Sequence, residues 1–112
     1  TMVNDQIRTP TYVDDLAKAC LLSIKTKSYG LYHISGTDLM DMFELSNRVA
    51  KTFKFNQQLI SAIPTSQLNQ PATRPKVTGF DISKAEKYLN FKPLSFTDAL
   101  LEIKAKLNSK NC

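Results

Sequence analysis

The sequence predicts one mixed α/β domain, α+β-like as an isolated chain, with about four helices and three short strands. Two observations carry this. Four stretches show helical apolar spacing with start and stop signals, and three short β-like runs punctuated by glycine or proline lie between them. At 112 residues the chain has room for a modest core, placed here in residues 1–107, with 108–112 as a frayed tail.

Residues 3–13 are β-like, with Ile7, Thr9, Thr11, Tyr12 and Val13 around Pro10. A proline lacks the N–H of a ladder, which confines the stretch to an edge strand or an extended lead-in. Asp14 or Asp15 then caps a helix to about Lys27. Leu16, Ala19, Cys20 and Ile24 fall at i, i+3, i+4 and i+8, a single apolar stripe on which Cys20 reads as a buried thiol. Lys25 and Lys27 complement the dipole at the end of that helix.

Tyr29 to Gly36 reads as a strand punctuated by glycines. Asp41-x-x-Glu44 has the spacing of a capping box and opens a second helix to about Phe53, burying Met42, Leu45, Val49 and Phe53. Leu59 to Ile63 is a short strand ended by Pro64, and Thr65 to Gln70 forms a turn of helix before a loop through Pro71, Arg74 and Pro75. Ser83-x-x-Glu86 starts a short third helix that stops near Phe91 because Pro93 follows. Ser95 caps the last helix, whose apolar face is Phe96, Ala99, Leu100, Ile103 and Leu107. So few short strands make a poor sheet alone, and they are expected to lie against something outside this chain.

Composition excludes several classes. Hydrophobic content of 42% with 22% charged residues argues against disorder, and three glycines leave no low-complexity tract. No apolar run approaches the roughly 20 residues that span a bilayer, and the N-terminus lacks the pattern of a signal peptide. Thr1 before Met2 suggests a processed start. Cys20 and Cys112 form no disulfide framework, and the lone His33 has no partner at metal-ligand spacing, so a reducing, cytoplasmic setting and no metal site are expected. The net charge of +5 is spread over scattered lysines, the nearest to a cluster being Lys104, Lys106 and Lys110. Such scatter is a solvated surface more than a nucleic-acid or membrane patch.

The search for a reaction centre fails. Gly30, Gly36 and Gly79 are too far apart for a phosphate loop, and His33, mid-strand, reads as structural. Tyr88-x-x-x-Lys92 has the spacing of a short-chain dehydrogenase proton donor, but Pro93 ends the helix there and no cofactor loop precedes it; the match is chance. Asp14 and Asp15 are adjacent, so they cannot share one face as a catalytic pair, and capping is the plainer reading. What remains is Arg8, among prolines and threonines, and Arg74, in Pro71-Ala72-Thr73-Arg74-Pro75. A guanidinium on a stiff loop can hold a phosphate with two hydrogen bonds, although composition alone makes each a surface arginine.

The succession of motifs resembles the C-terminal region of dTDP-4-dehydrorhamnose reductases, within the extended short-chain dehydrogenase/reductase and nucleotide-sugar epimerase/dehydratase superfamily. The stretch Asp5-Gln6-Ile7-Arg8-Thr9-Pro10-Thr11 followed by Asp15-Leu16-Ala17 resembles the family's Asp-Gln-x-Gly-x-Pro-Thr and its Asp-Leu-Ala helix. Gly30 to Gly36 resembles the strand that follows, and the Phe43-Glu44-Leu45 helix the next helix. Arg74-Pro75, Asp81-Ile82-Ser83-Lys84 and Leu89-Asn90-Phe91-Lys92-Pro93 resemble the closing motifs. Each motif is weak, while their order across nearly the whole chain is specific. Two residues depart: Arg8 stands where reductases carry glycine and sister epimerases and dehydratases often carry arginine, and Asn90 replaces a glycine, a swap open to asparagine because it accepts the left-handed conformation.

The resemblance implies the small substrate domain of an extended Rossmann-type reductase that reduces a dTDP-4-keto-6-deoxy sugar, as in dTDP-rhamnose synthesis. It places Arg74 near the nucleotide diphosphate, with Arg8 a second candidate, and Gln6, Pro10 and Thr11 in the pocket wall. NADPH or NADH and the hydride-transfer residues would belong to the chain's own N-terminal Rossmann domain, so the expected partners are that domain and a nucleoside diphosphate sugar. No catalytic residue and no cofactor site are expected here, and oligomeric assembly is left open. Alternatives are an epimerase or dehydratase parent, kept open by Arg8, and a non-catalytic relative that binds a partner enzyme, as the regulatory subunit of methionine adenosyltransferase does.

Overall fold

Strands in this chain are short because prolines and polar residues interrupt every β-forming run, and each finds its partner far along the sequence. A computed structural model describes residues 1–110. In chain order the elements are β1 (Met2–Val3), β2 (Ile7–Arg8), α1 (Val13–Lys25), β3 (Met40–Asp41), α2 (Met42–Phe53), β4 (Ala62–Ile63), β5 (Val77–Thr78), α3 (Ser83–Leu89) and α4 (Phe96–Lys110), with single 3-10 turns at Gln57–Leu59 and Thr65–Gln67. β1 pairs with β4 in parallel, Met2 opposite Ala62. β2 is the centre of a three-stranded sheet, antiparallel to β3 and parallel to β5, with Ile7 facing Asp41 and Val77. The mixed α/β class and the four helices stand as expected.

Helix boundaries follow local chemistry, not always through the expected residue. α1 starts at Val13, with Tyr12 as an N-cap that offers no side-chain bond, so Asp14 and Asp15 sit inside the first turn instead of capping it. Asp41 caps α2, its Oδ1 accepting the Glu44 N–H at 2.7 Å. The reciprocal half of the box is missing, because Glu44 pairs with Arg48 one turn on. α3 is preceded by Asp81, whose Oδ1 accepts the Ser83 N–H at 2.9 Å, so the capping role assigned to Ser83 falls two residues earlier. Asn90 ends α3 at φ 52°, the left-handed conformation its side chain tolerates. Ser95 and Asp98 form a reciprocal cap for α4, which runs to Lys110; the tail expected to fray from Asn108 is helical there, and Asn111 and Cys112 lie outside the described residues.

The core is small. Ala19, Ile82, Ala85, Leu89 and Phe91 form its buried cluster, with Leu22, Tyr32 and Ile34 packed against it. A second contact joins α2 to α4, where Lys104 Nζ donates to the Thr52 carbonyl at 2.7 Å. Two expectations fail here. Of the α1 stripe only Ala19 is buried: Leu16 and Ile24 are 45% and 73% exposed, and Cys20 is an exposed thiol, not a buried one. The strand expected at Tyr29–Gly36 is chain that pairs with no strand among the described residues, with Tyr32 and Ile34 packed against the core and Tyr29, Leu31 and His33 exposed. α3 packs on α1 and Asp14 of its first turn meets Lys106 of α4, yet Leu16 and Ile24 stay exposed.

The shape reflects this. The molecule measures 47 × 43 × 20 Å with a radius of gyration of 16.5 Å, whereas a closed domain of this length has about 13 Å. It is a slab, with Leu16, Ile24 and Leu31 exposed beside its buried core.

Candidate functional site

The loop from Asn69 to Asp81 is exposed throughout, and it forms one wall of a polar cleft of about 460 Å³. Asp5, Thr65, Ser66, Thr73, Arg74 and Lys76 line that cleft. Pro71 and Pro75 restrict the loop around Arg74, since proline fixes its own φ and pushes the preceding residue toward extended conformations. Among the described residues the Arg74 guanidinium makes no hydrogen bond or ion pair, so its donors are unspent beside the cleft.

Asp5 is the one carboxylate on this cleft, and it is engaged from inside. Its Oδ1 accepts the Thr65 N–H at 2.9 Å and the Thr65 hydroxyl at 2.5 Å. The Thr65 hydroxyl bond, foremost, holds its carboxyl below the usual carboxylate range, and Lys76 adds an electrostatic pull in the same direction. Two cations against one satisfied carboxylate leave a net positive cleft, suited to an anion held by a forked arginine and a point-charge lysine.

Behind the cleft lies a hydrogen-bonded strut. Gln6, 7% exposed, donates from Nε2 to Thr65 Oγ1 at 3.0 Å and accepts Arg8 Nη2 on Oε1 at 3.0 Å. Arg8 Nη1 donates to the carbonyls of Ile7 at 2.9 Å and Pro75 at 3.0 Å. Pro10 and Thr11 lie elsewhere. They line an apolar cavity of about 280 Å³ with Gly36, Leu94, Phe96 and Leu100, closed on one side where the Gly36 N–H donates to Pro10 O. The five residues singled out from sequence therefore divide: Arg74 in the cleft, Gln6 and Arg8 behind it, Pro10 and Thr11 at a separate cavity.

Sequence reasoning missed Lys76, Thr73, Asp5 and Thr65. Lys76 had a readable signal, since two residues apart in extended chain puts side chains on one side, as with Arg74. Asp5 and Thr65 are 60 positions apart and had none. The other candidates stay inert in place. α3 ends at Leu89, so Lys92 does not share a helical turn with Tyr88. His33 is exposed, its ring 5.2 Å from that of Phe80. No group of three metal-ligating side chains occurs among the described residues, and no helix there is long and apolar enough to cross a membrane.

Comparison with known proteins points in one direction. A spore coat polysaccharide biosynthesis protein, SpsK of Bacillus subtilis (strain 168), is 25% identical over 101 residues, which is 90% of this chain and 35% of that protein. The dTDP-4-dehydrorhamnose reductase of Bacillus anthracis str. Ames, solved in complex with NADP, superposes with a TM-score of 0.81 and 27% identity, over 94% of this chain and 37% of that one. The UDP-glucuronic acid 4-epimerase of Bacillus cereus, solved with UDP-glucuronic acid and NAD, reaches a TM-score of 0.68 at 25% identity, over 87% of this chain and 30% of that one. The chain thus spans about a third of the length of the proteins it matches. The model of the RmlD substrate binding domain matches residues 1–109, nearly the whole chain, and the chain belongs to that family.

Proposed function

We propose that this chain is the substrate-binding part of a nicotinamide-dependent nucleotide-sugar reductase, and that its cleft takes the diphosphate of a thymidine diphosphate 4-keto-6-deoxy sugar. The observation that carries the reading is Arg74, whose guanidinium has no partner among the described residues, beside Lys76 on a positive cleft. Family membership and the reductase neighbour support the substrate class. In this reading the chain binds and orients; Arg74 grips phosphate oxygens, and Ser66 and Thr73 offer hydroxyls around it.

NADPH or NADH would supply the hydride in the parent protein. The residues present do not fit such a cofactor: Gly30 precedes extended chain and no glycine-rich turn leads from a strand into a helix. Hydride chemistry is accordingly assigned to an N-terminal dinucleotide-binding domain. The uncovered side of α1 and the unpaired Tyr29–Ser35 segment form the surface on which that domain would dock, adding a strand and burying Leu16, Ile24 and Leu31. A reducing, cytoplasmic location belongs to the same reading.

An epimerase parent is the second reading, favoured by Arg8 and by the epimerase neighbour, whose TM-score is lower than the reductase's. The experiment is titration of the chain with thymidine diphosphate sugar, followed by amide chemical shifts. Arg74→Ala should weaken binding about tenfold or more, the loss of one charge-assisted pair. Undiminished binding by Arg74→Ala would remove the cleft from the proposal.

A further inference from the structure

We infer that Arg8 is a positioning residue, which holds the segment bearing Arg74 in register over the cleft and does not itself take the anion. The inference rests on the assignment of Arg74 to phosphate. Charge alone would make Arg8 a second phosphate ligand, and three observations oppose that.

The first is where its donors go. Nη1 serves the carbonyls of Ile7 and Pro75, and Nη2 serves Oε1 of Gln6. Reaching a phosphate would break these bonds and strip a buried glutamine of a partner. The second is place: Asp5, Thr65, Arg74 and Lys76 line the cleft, and Arg8 does not.

The third is what the Pro75 bond does. The loop is exposed along its length, so nothing packs Arg74 into position. Two consecutive carbonyls after Arg74 are nonetheless pinned to β2, Pro75 O by Arg8 Nη1 and Lys76 O by the Ile7 N–H at 2.7 Å. The Pro75 ring narrows the conformations open to Arg74 itself. On the other side Gln6 carries the strut to Thr65, which holds Asp5. One guanidinium thus ties the two walls of the cleft together. A lysine cannot copy this, because its single ammonium lacks the planar fork that meets Pro75 O and Gln6 Oε1 at once.

The test uses the whole chain, thymidine diphosphate as the probe, and Arg8→Ala, Arg8→Lys, Arg74→Ala and the Arg8→Ala/Arg74→Ala double variant. Positioning through Arg74 predicts that Arg8→Ala and Arg8→Lys both weaken binding, by about three- to tenfold, as expected when preorganisation is lost. It predicts no further loss when Arg8→Ala is added to Arg74→Ala. Without ligand, amide exchange at Ile7, whose N–H donates to Lys76 O, should rise in both Arg8 variants and stay unchanged in Arg74→Ala. Full retention of affinity by Arg8→Lys, or additive losses in the double variant, would overturn the inference and make Arg8 a ligand by charge. If Arg8→Ala fails to fold, Arg8→Lys still decides through affinity and exchange. Should Arg74→Ala bind thymidine diphosphate normally, the cleft assignment fails instead, and the exchange result alone judges the strut.

Discussion

Asp15 Oδ2 accepts the backbone N–H of Leu94 at 2.8 Å, tying the first turn of α1 to the segment that leads into α4. The two residues are 79 positions apart, and Asp15 is only 2% exposed. Lys18, one turn along, reaches its other oxygen at 3.4 Å. Both oxygens therefore have donors, which satisfies a carboxylate that burial would otherwise penalise. In a slab with so small a core, this link fixes where α4 begins.

Asp15→Ala strands the Leu94 N–H in a partly buried place. Stability should drop by about 2–3 kcal/mol, the range for a hydrogen bond to a charged group whose partner is left behind. Asp15→Asn keeps an acceptor and should lose less. Urea midpoints of the three proteins decide this, and equal midpoints would show that the link carries no weight.

Which features were readable depended on how far away their partners lie. Asp41 and Ser95 cap helices through residues three positions on, and Asn90 meets a purely local demand on φ, so spacing alone revealed them. The bond of Arg8 to Pro75 was not legible, because that partner is 67 positions away and no pattern in the sequence announces a carbonyl. Cys20 and the Tyr29–Gly36 segment misled for another reason. Their apolar spacing is real, but it is only partly used: Ala19, Tyr32 and Ile34 meet the core, while Leu16, Cys20, Ile24 and Leu31 stay exposed.

Gly36 is required for space. A Cβ there would sit 2.4 Å from Pro10 O, a backbone atom that also receives the Gly36 N–H. Gly36→Ala must push the Pro10 carbonyl away from residue 36, and should cost about 1–3 kcal/mol, as overpacking does. At Gly79 the nearest atoms are side-chain carbons of Leu39 and Thr9, at 3.3 and 3.4 Å, which can yield. Gly79→Ala should therefore melt close to the unaltered chain and Gly36→Ala well below it; the reverse order in a thermal scan would be inconsistent with this packing.

Docking at the proposed surface should slow amide exchange. No backbone N–H from Tyr29 to Ser35 finds a backbone acceptor among the described residues, so these amides should exchange within seconds to minutes in the isolated chain. Joined behind a dinucleotide-binding domain they should become protected, most strongly around Leu31 and His33. Continued fast exchange there in the joined protein would rule out strand addition.

Acid should loosen the contact between α1 and α4, and one carboxylate shows the direction. Asp14 accepts hydrogen bonds from Lys106 Nζ and from the Tyr12 hydroxyl, the latter at 3.0 Å. Lys106 first, then Tyr12, hold its carboxyl below the ordinary value of 3.8. A depressed native pKa means that the unfolded chain binds more protons at this group, so stability rises with pH through that region. The contribution is fully present above the unfolded value and is lost as pH falls through the lower native one. Asp5, through Thr65, and Asp81, through Ser83, shift in the same direction. Lys106 is raised by the same contact with Asp14; its contribution is present throughout the acid and neutral range and is lost only in strong alkali, which leaves the acid limb to the carboxylates. Urea midpoints should therefore fall from about pH 5 downward. Asp14→Asn should be less stable than the unaltered chain at pH 7 and lose less on going to acid, so that the two curves converge. Curves that stay parallel from neutral to acid pH would remove Asp14 from the response and leave Asp5 and Asp81 to account for it.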